Sequence, residues 1–136
     1  MALLFFTGGH DSKFFNNLIY ATNKHCFGTG SFRKGHADAF QNNSCIVVST
    51  RNPSESKIGT LYQCSTEGMN PTSNSYFTES GNATWTCLPH SHDFPLEEMQ
   101  AMGFEKGSTV QKVPGSEAIM SMAMKILNID DDSVYE

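Results

Sequence analysis

The stretch GHDSKFFNN, residues 9–17, is followed 26 residues later by GHADAFQNN, residues 35–43. Five identities share this offset: Gly9/Gly35, His10/His36, Phe14/Phe40, Asn16/Asn42 and Asn17/Asn43. Each copy leads into a run of apolar or β-branched residues, LIY in the first and SCIVV in the second. Such runs favour β-strands, and a strand-and-turn unit repeated in register is typical of stacked coils.

A parallel β-helix is the fold that this repeat predicts. Successive coils in such a fold lie about 4.8 Å apart, so equivalent residues stack on one another. We therefore expect Phe14 over Phe40 in the interior and Asn16 over Asn42 at a corner, with amide-to-amide hydrogen bonds between the asparagines. The alternative is a coincidental Asn-Asn in two unrelated turns.

The chain changes character near residue 93. Between the repeats, KHCFGTGSFRKG (residues 24–35) reads as a polar turn. Short strands are predicted near 58–64, 75–78 and 84–88. Pro95, the following glutamates and Gly103 indicate a short helix, and apolar residues at helical spacing indicate a second helix over 116–128. The sequence thus predicts β-helix coils with irregular later turns over 1–92, then a helical cap and acidic tail over 93–136.

Charge is unevenly distributed along the chain. Residues 1–60 carry six Lys or Arg against three Asp or Glu, and residues 61–136 carry three against eleven. A basic half beside an acidic half permits an anionic ligand on the first half and argues against nucleic-acid binding over the whole surface. No apolar run is long enough to cross a bilayer.

The cysteines and sequons indicate an oxidising compartment. The disulfide candidates are Cys26, Cys45, Cys64 and Cys87, and the glycosylation candidates are Asn42 and Asn82. No CxxC pair is present, so a zinc ribbon is not indicated. We expect a secreted protein with at least one disulfide, and the three full pairings stay open. The alternative is a set of buried thiols in a cytosolic protein.

The order of these segments resembles the C-terminal part of right-handed parallel β-helix proteins of the pectate-lyase-like, carbohydrate-active kind. FFNNLIY and AFQNNSCIVV resemble coil strands with asparagine corners, NSYFTESG resembles a late strand and turn, and PLEEMQAMGFEKGS resembles the helical segment after the last coils. Met99 stands where such proteins commonly have Trp, and Glu105 where they commonly have Asp. The resemblance implies a mainly β fold, right-handed parallel coils followed by two short helices, and polysaccharide binding or cleavage.

A first coil without a coil below it exposes an apolar cross-section and unpaired strand edges. We therefore expect a second chain, or missing N-terminal coils, to complete the structure. The alternative is that MALLFF folds over this end as a small cap.

Lyases and epimerases that act on uronic-acid polymers need a cation to neutralise a carboxylate and a base to remove the adjacent proton. The candidate catalytic residues are His36, His10 and Asp38, and the candidate substrate-binding residues are Arg33, Lys34 and Lys13. The alternative is that the Gly-His pairs mark turns and that the cations keep those turns solvated. The sequence indicates no metal site and no cofactor; calcium could bind such a protein, but no residue pattern here points to it.

Two functional classes remain open at this point. The first is a polysaccharide lyase or glycoside hydrolase with its groove on the outer face of the coils. The second is a non-catalytic glycan-binding or extracellular structural module on the same scaffold. Surface aromatic residues beside paired carboxyl and basic groups would favour the first class, and a flat polar face would favour the second.

Overall fold

The computed structural model describes residues 2–6, 11–23, 25–30, 34–50, 57–61, 64–90 and 92–129, with the main chain alone for residues 2–6. Within these ranges the elements are β1 (Ala2–Phe6), β2 (Lys13–Phe15), β3 (Leu18–Thr22), β4 (His25–Thr29), β5 (Ala39–Gln41), β6 (Ser44–Val48), β7 (Lys57–Leu61), β8 (Ser75–Thr78), β9 (Thr84–Cys87), β10 (Asp93–Pro95), α1 (Leu96–Ala101), β11 (Thr109–Lys112) and α2 (Ser116–Leu127). The predicted class, mainly β with two short C-terminal helices, is confirmed.

The strands form three sheets, which the chain visits in rotation. Sheet 1 has the order β1-β4-β7-β9-β10, sheet 2 pairs β2 with β5, and sheet 3 has the order β11-β8-β6-β3. All neighbours are parallel except β9 and β10. Later passes extend sheet 2 through the bridges Gln41↔Thr72 and Thr72↔Lys106. We call one passage through sheets 1, 2 and 3 a rung.

The predicted stacking of the repeat is confirmed. Phe14 lies opposite Phe40 in the parallel pair β2–β5. The amide nitrogen Nδ2 of Asn42 donates to Oδ1 of Asn16 at 2.6 Å. The 26-residue offset therefore corresponds to one rung.

Each rung turns from sheet 2 to sheet 3 through a residue in the left-handed conformation. The φ angle is 57° at Asn16, 55° at Asn42, 56° at Ser73 and 73° at Gly107. Asparagine and glycine adopt this conformation more readily than other residues, whose Cβ approaches the following carbonyl. The asparagine pairs of the sequence thus mark a repeated backbone corner.

The residue after each corner residue belongs to a hydrogen-bonded row that we call the amide ladder: Asn17, Asn43, Asn74 and Ser108. Asn43 Oδ1 accepts from the main-chain nitrogen of Asn17 at 3.0 Å and from its Nδ2 at 2.9 Å. Asn74 Oδ1 accepts from the main-chain nitrogen of Asn43 at 2.9 Å, and Asn74 N donates to Ser108 Oγ at 2.9 Å. Asn43 and Asn74 also donate to the carbonyls of Phe14 and Phe40. The ladder satisfies main-chain groups that the corner removes from the sheets.

Aromatic side chains fill the space between the sheets. The rings of Phe27 and Phe40 lie 4.9 Å apart, and those of Tyr76 and Trp85 meet edge to face at 5.4 Å. Gly59 lies opposite Phe27 on the next strand, and a Cβ there would stand 2.8 Å from the tip of that ring. Glycine at this position therefore makes room for the phenylalanine of the rung below.

The prediction of a polar turn over residues 24–35 is wrong for the first half of that segment. His25–Thr29 forms β4, which pairs with β1 on one side and β7 on the other. Cys26 and Phe27 are fully buried there, so burial outweighs the polar and glycine-rich composition that suggested a turn. The sequence also does not predict strand β11, which lies in the region expected to be helical and pairs with β8.

All four cysteines form disulfides, Cys26–Cys45 and Cys64–Cys87, with Cα atoms 6.2 and 5.4 Å apart. The expectation of at least one bridge is confirmed. The first bridge joins sheet 1 to sheet 3, and the second joins the region after β7 to β9. Loops of this length correspond to a stabilisation of about 3 kcal/mol each in the chain-entropy view.

Helix α2 returns along the molecule and lies next to β3. Of its predicted apolar face, Ile119, Met122 and Ala123 are half-buried. Ile126 and Leu127 remain 43% and 66% exposed. The predicted helix is confirmed, but its apolar face is covered in part only.

Removal of the central ladder amide tests the importance of this row. We expect Asn43→Ala to lower the free energy of unfolding by about 3 kcal/mol, because the polar groups of Asn17, Phe14 and Asn74 that bond to the buried Asn43 side chain lose their partner. Asn42→Gly is the matched control. It keeps the left-handed corner, removes one exposed amide contact, and should cost less than about 1 kcal/mol. Urea unfolding measures both losses, and equal losses would contradict the role assigned to the ladder.

Candidate functional site

Carboxylates link two successive rungs where the chain enters sheet 2. Asp38 Oδ1 accepts from the main-chain nitrogen of Ser12 at 2.8 Å. Asp11 Oδ1 accepts from the main-chain nitrogen of Ala37 at 3.3 Å. The two aspartates therefore hold adjacent segments together by bonding across the rung spacing.

His36 lies beside Asp11 at this entry. Its ring nitrogen Nδ1 is 2.7 Å from Asp11 Oδ2, and the two side chains are 35% and 55% exposed. The carboxylate favours the tautomer with the proton on Nδ1, which makes Nε2 the acceptor of a neutral ring. A half-exposed imidazole oriented in this way is suited to accept a proton from a bound molecule.

Beside His36 and Asp11, sheet 2 exposes both aromatic and polar side chains to solvent. Because Phe14 and Phe40 point inward, their neighbours along the strands point outward. We call this surface the outer β2–β5 face and define it by Lys13, Phe15, Gln41, Thr72 and Lys106. Phe15, Gln41, Thr72 and Lys106 follow one another across four rungs in register.

The composition of the outer β2–β5 face suits a polar ligand. Phe15 is 42% exposed, and Lys13 and Lys106 are exposed at its two ends. An aromatic ring provides an apolar contact surface, and the two ammonium groups attract anions. The row runs along the stacking direction, so an extended ligand could contact several rungs.

The structure brings together part of the predicted site. His36 and Asp38 lie at the entry to sheet 2, with Asp11 between the rungs, and Lys13 lies on the adjoining face. Lys34 is exposed in the turn before His36. His10 and Arg33 fall outside the described residues. The roles assigned to all six remain predictions.

Sequence reasoning missed Phe15, Gln41, Thr72 and Lys106. Their signal is alternation: once Phe14 and Phe40 are placed inward, the next residues must face outward. Thr72 and Lys106 could not be aligned from the sequence, since the rung offsets after residue 42 are 31 and 34 rather than 26.

A second polar cluster lies on sheet 1. Lys57 Nζ is 3.1 Å from Asp93 Oδ2, and Thr86 Oγ1 donates to Asp93 Oδ1 at 2.6 Å. Partial burial raises the pKa of Asp93, but the bond from Thr86 and the charge of Lys57 outweigh it, so this pKa lies below the ordinary value. We interpret the cluster as a surface ion pair between strands.

The two glycosylation candidates differ in their surroundings. Asn42 is exposed, but its Nδ2 is engaged with Asn16. Asn82 is exposed in the turn after β8, where its carbonyl accepts from Thr78 Oγ1 at 2.7 Å. Both remain candidates.

Among the described residues, no three His, Cys, Asp or Glu side chains are placed to hold a metal ion. The rings of His92 and Phe94 pack 4.3 Å apart. Neither α1 nor α2 is long and apolar enough to cross a membrane, and no other helix occurs in the described part of the chain.

The chain matches no protein-family model, no curated protein and no solved structure.

Proposed function

We propose that this chain is part of a secreted right-handed parallel β-helix protein that binds an anionic polysaccharide over the outer β2–β5 face. The observation that carries the proposal is the row of Phe15, Gln41, Thr72 and Lys106, which aligns an aromatic ring, two polar groups and a cation across four rungs. Such a row presents side chains at a regular spacing to a ligand that is itself a regular polymer.

The rotation of the chain through three sheets supports the β-helix assignment. Parallel neighbours, the left-handed corners and the amide ladder are all expected of stacked coils. Crossover connections between parallel strands are almost always right-handed, which supports the right-handed form of the β-helix. Two disulfides that use all four cysteines support secretion, since such bridges persist in oxidising compartments.

The charge around the face supports an anionic polymer. Lys13 and Lys106 lie on it, and Lys34 lies in the turn at its entry. Asp11 and Asp38 lie at this entry, and both carboxylates are already bonded to main-chain nitrogens. Exposed Glu67 lies on the next rung, two residues before the bridge Asp38↔Met69. Uronic or sulfated sugars would bring the anions that these ammonium groups attract.

A binding experiment tests the assignment to this face. We expect Lys13→Ala/Lys106→Ala to weaken binding to a uronic-acid polymer about tenfold at low salt, because two exposed charge contacts are lost. Lys125→Ala, which removes an exposed cation from α2, is the control and should bind as the parent does. Neutral, uronic and sulfated polysaccharides are compared by affinity electrophoresis. Salt-insensitive binding, or equal binding by the double variant and the parent, would reject the anionic-polysaccharide proposal.

A second candidate function, cleavage of the bound polymer, is favoured by the contact between His36 and Asp11. In a β-elimination, neutral Nε2 of His36 would take the proton from the carbon beside the uronic carboxylate. The electron pair of that C–H bond would form a carbon–carbon double bond as the neighbouring glycosidic C–O bond breaks, and the released oxygen would take a proton from water. A nearby lysine ammonium, from Lys13 or Lys34, would stabilise the charge that develops on the carboxylate.

The cleavage candidate has its own test. We expect His36→Ala to lower the rate by about 100-fold or more, since it removes the general base. Asp11→Asn, which removes the orienting charge, should give a smaller loss, and Lys125→Ala none. The ultraviolet absorbance of the unsaturated product reports the rate. Binding without any product from the parent would favour the alternative, a non-catalytic glycan-binding or structural module.

We also propose that strands from another polypeptide segment continue the stack beyond the first rung. Among the described strands, β1, β2 and β3 each lie at the end of their sheet, and they follow one another in the chain. Tyr20 on β3 is 54% exposed beside them. Unpaired edges of this kind bind further strands readily.

Sedimentation velocity of the purified chain tests this last proposal. We expect association, because a second copy offers the purified protein a partner for its open edges. The complex should persist at micromolar concentration if the interface is apolar and of the obligate kind. A monodisperse, folded monomer would show that the end is self-capped.

A further inference from the structure

One carboxyl group lies inside the space that the three sheets enclose. Glu105 is fully buried, with a φ angle of 51°, and its main-chain nitrogen donates to the carbonyl of Pro71 at 2.7 Å. The bridge Thr72↔Lys106 places Glu105 opposite Pro71, and the bridge Gln41↔Thr72 places Pro71 opposite Phe40, so Glu105 lies two rungs above Phe40. A carboxyl group thus occupies the inward position that apolar residues hold in the earlier rungs.

Glu105 connects the last rung to the amide ladder. Tyr76 Oη donates to Oε1 at 2.8 Å, and Ser108 Oγ donates to Oε2 at 2.6 Å. Ser108 Oγ also accepts from the main-chain nitrogen of Asn74, so the carboxyl group is bonded to the last member of the ladder and is two hydrogen bonds away from Asn74. The amide of Gln100, in α1, donates to the main-chain carbonyl of Glu105 at 3.1 Å. Through its side chain and its main chain, Glu105 therefore contacts β8, α1 and the segment before β11.

No cation offsets the charge of this carboxyl group. Glu105 forms no ion pair within the described ranges, and the neighbouring Lys106 is exposed. The titratable group that faces it is Tyr76 from β8; Asn74, Trp85 from β9 and Ser108 are uncharged. Trp85 Nε1 has no hydrogen-bond partner in the described structure, so the indole acts on Glu105 through its dipole alone.

Burial decides the protonation of Glu105. Removal from water raises its pKa to about 7, although the hydrogen bonds from Ser108 and Tyr76 and the nearby polar groups of Asn74 and Trp85 favour the charged form and lower it. The pKa of Tyr76 lies well above its ordinary value, first because of burial and then because of the charge of Glu105 and the bond to it. The pair therefore contains no net charge in mildly acidic solution.

We propose that Glu105 is a proton-dependent latch. In its uncharged form one carboxyl oxygen accepts from Tyr76 and the other becomes a donor to Ser108 Oγ, which holds the last rung against the earlier rungs; ionisation of Glu105 loosens that rung. The latch closes in acidic surroundings and opens above neutrality. It acts on residues 104–112, which contact the earlier rungs through Glu105, Ser108 and β11.

The direction of the effect follows from proton linkage. Between the unfolded value of 4.5 and the folded value of about 7, the folded protein holds a proton that the unfolded chain has lost. Each rise of one pH unit in this window lowers the folding equilibrium constant by up to tenfold, about 300-fold in all. The stabilisation is complete below pH 4.5, declines up to about pH 7, and stays low above it.

Denaturant unfolding from pH 4.5 to 8.5 tests the latch on the complete chain. We expect the folding constant of the parent to fall across this range by up to about 300-fold. Glu105→Gln should be nearly independent of pH and should exceed the parent at pH 8. The control Glu98→Gln, at an exposed position of α1, should follow the parent. A parent whose stability is constant or rises with pH would overturn the proposal, as would a Glu105→Gln variant with unchanged pH dependence.

Hydrogen exchange of the parent supplies a second readout, which decides the matter even if Glu105→Gln does not fold. After correction for the intrinsic pH dependence of exchange, the amides of β11 should lose protection between pH 5 and 8, and those of β6 should retain it. Equal loss in both strands, or none in β11, would reject a latch confined to the last rung.

Discussion

The amide ladder is the interaction on which the rest of the structure depends. Each rung leaves sheet 2 through a corner residue in the left-handed conformation. The side chain of the next residue forms hydrogen bonds with the neighbouring rungs. Asn43 alone bonds to Asn17, Phe14 and Asn74, in a position with 1% exposure. Without such a residue, the corner would leave main-chain groups buried and unpaired at every turn. The ladder aligns the rungs, and the aromatic interior and the outer faces follow from that alignment.

Register links this interior row to the candidate site. Phe14 and Phe40 can face inward only if Phe15 and Gln41 face outward, since side chains alternate along a strand. The same register brings Asp11 within reach of His36, one residue away from the directly opposite Ala37. The side chains of the outer β2–β5 face are therefore positioned by packing on the inner one.

The sequence predicts those parts of the fold that depend on local repetition. The 26-residue offset was sufficient to place Asn16, Asn42, Phe14 and Phe40, and helix signals located α1 and α2. The sequence does not predict strand β4, because the burial of Phe27 against the distant Phe40 outweighs the turn-like composition of this segment. The contact of His36 with Asp11 depends on a diagonal geometry with Asp11 in the left-handed conformation, which no sequence pattern reveals. Glu105 could not be recognised as buried, since charged residues are seldom placed in a core by composition.

The rung offsets of 26, 31 and 34 residues lie between corners that keep the same backbone shape. Extra residues are therefore accommodated outside the ladder, and a change of loop length in one rung need not alter the alignment of the next. Such an architecture separates two kinds of evolutionary change. Corner and ladder positions accept few amino acids, while the connections between them are free to lengthen, shorten and acquire new surface chemistry.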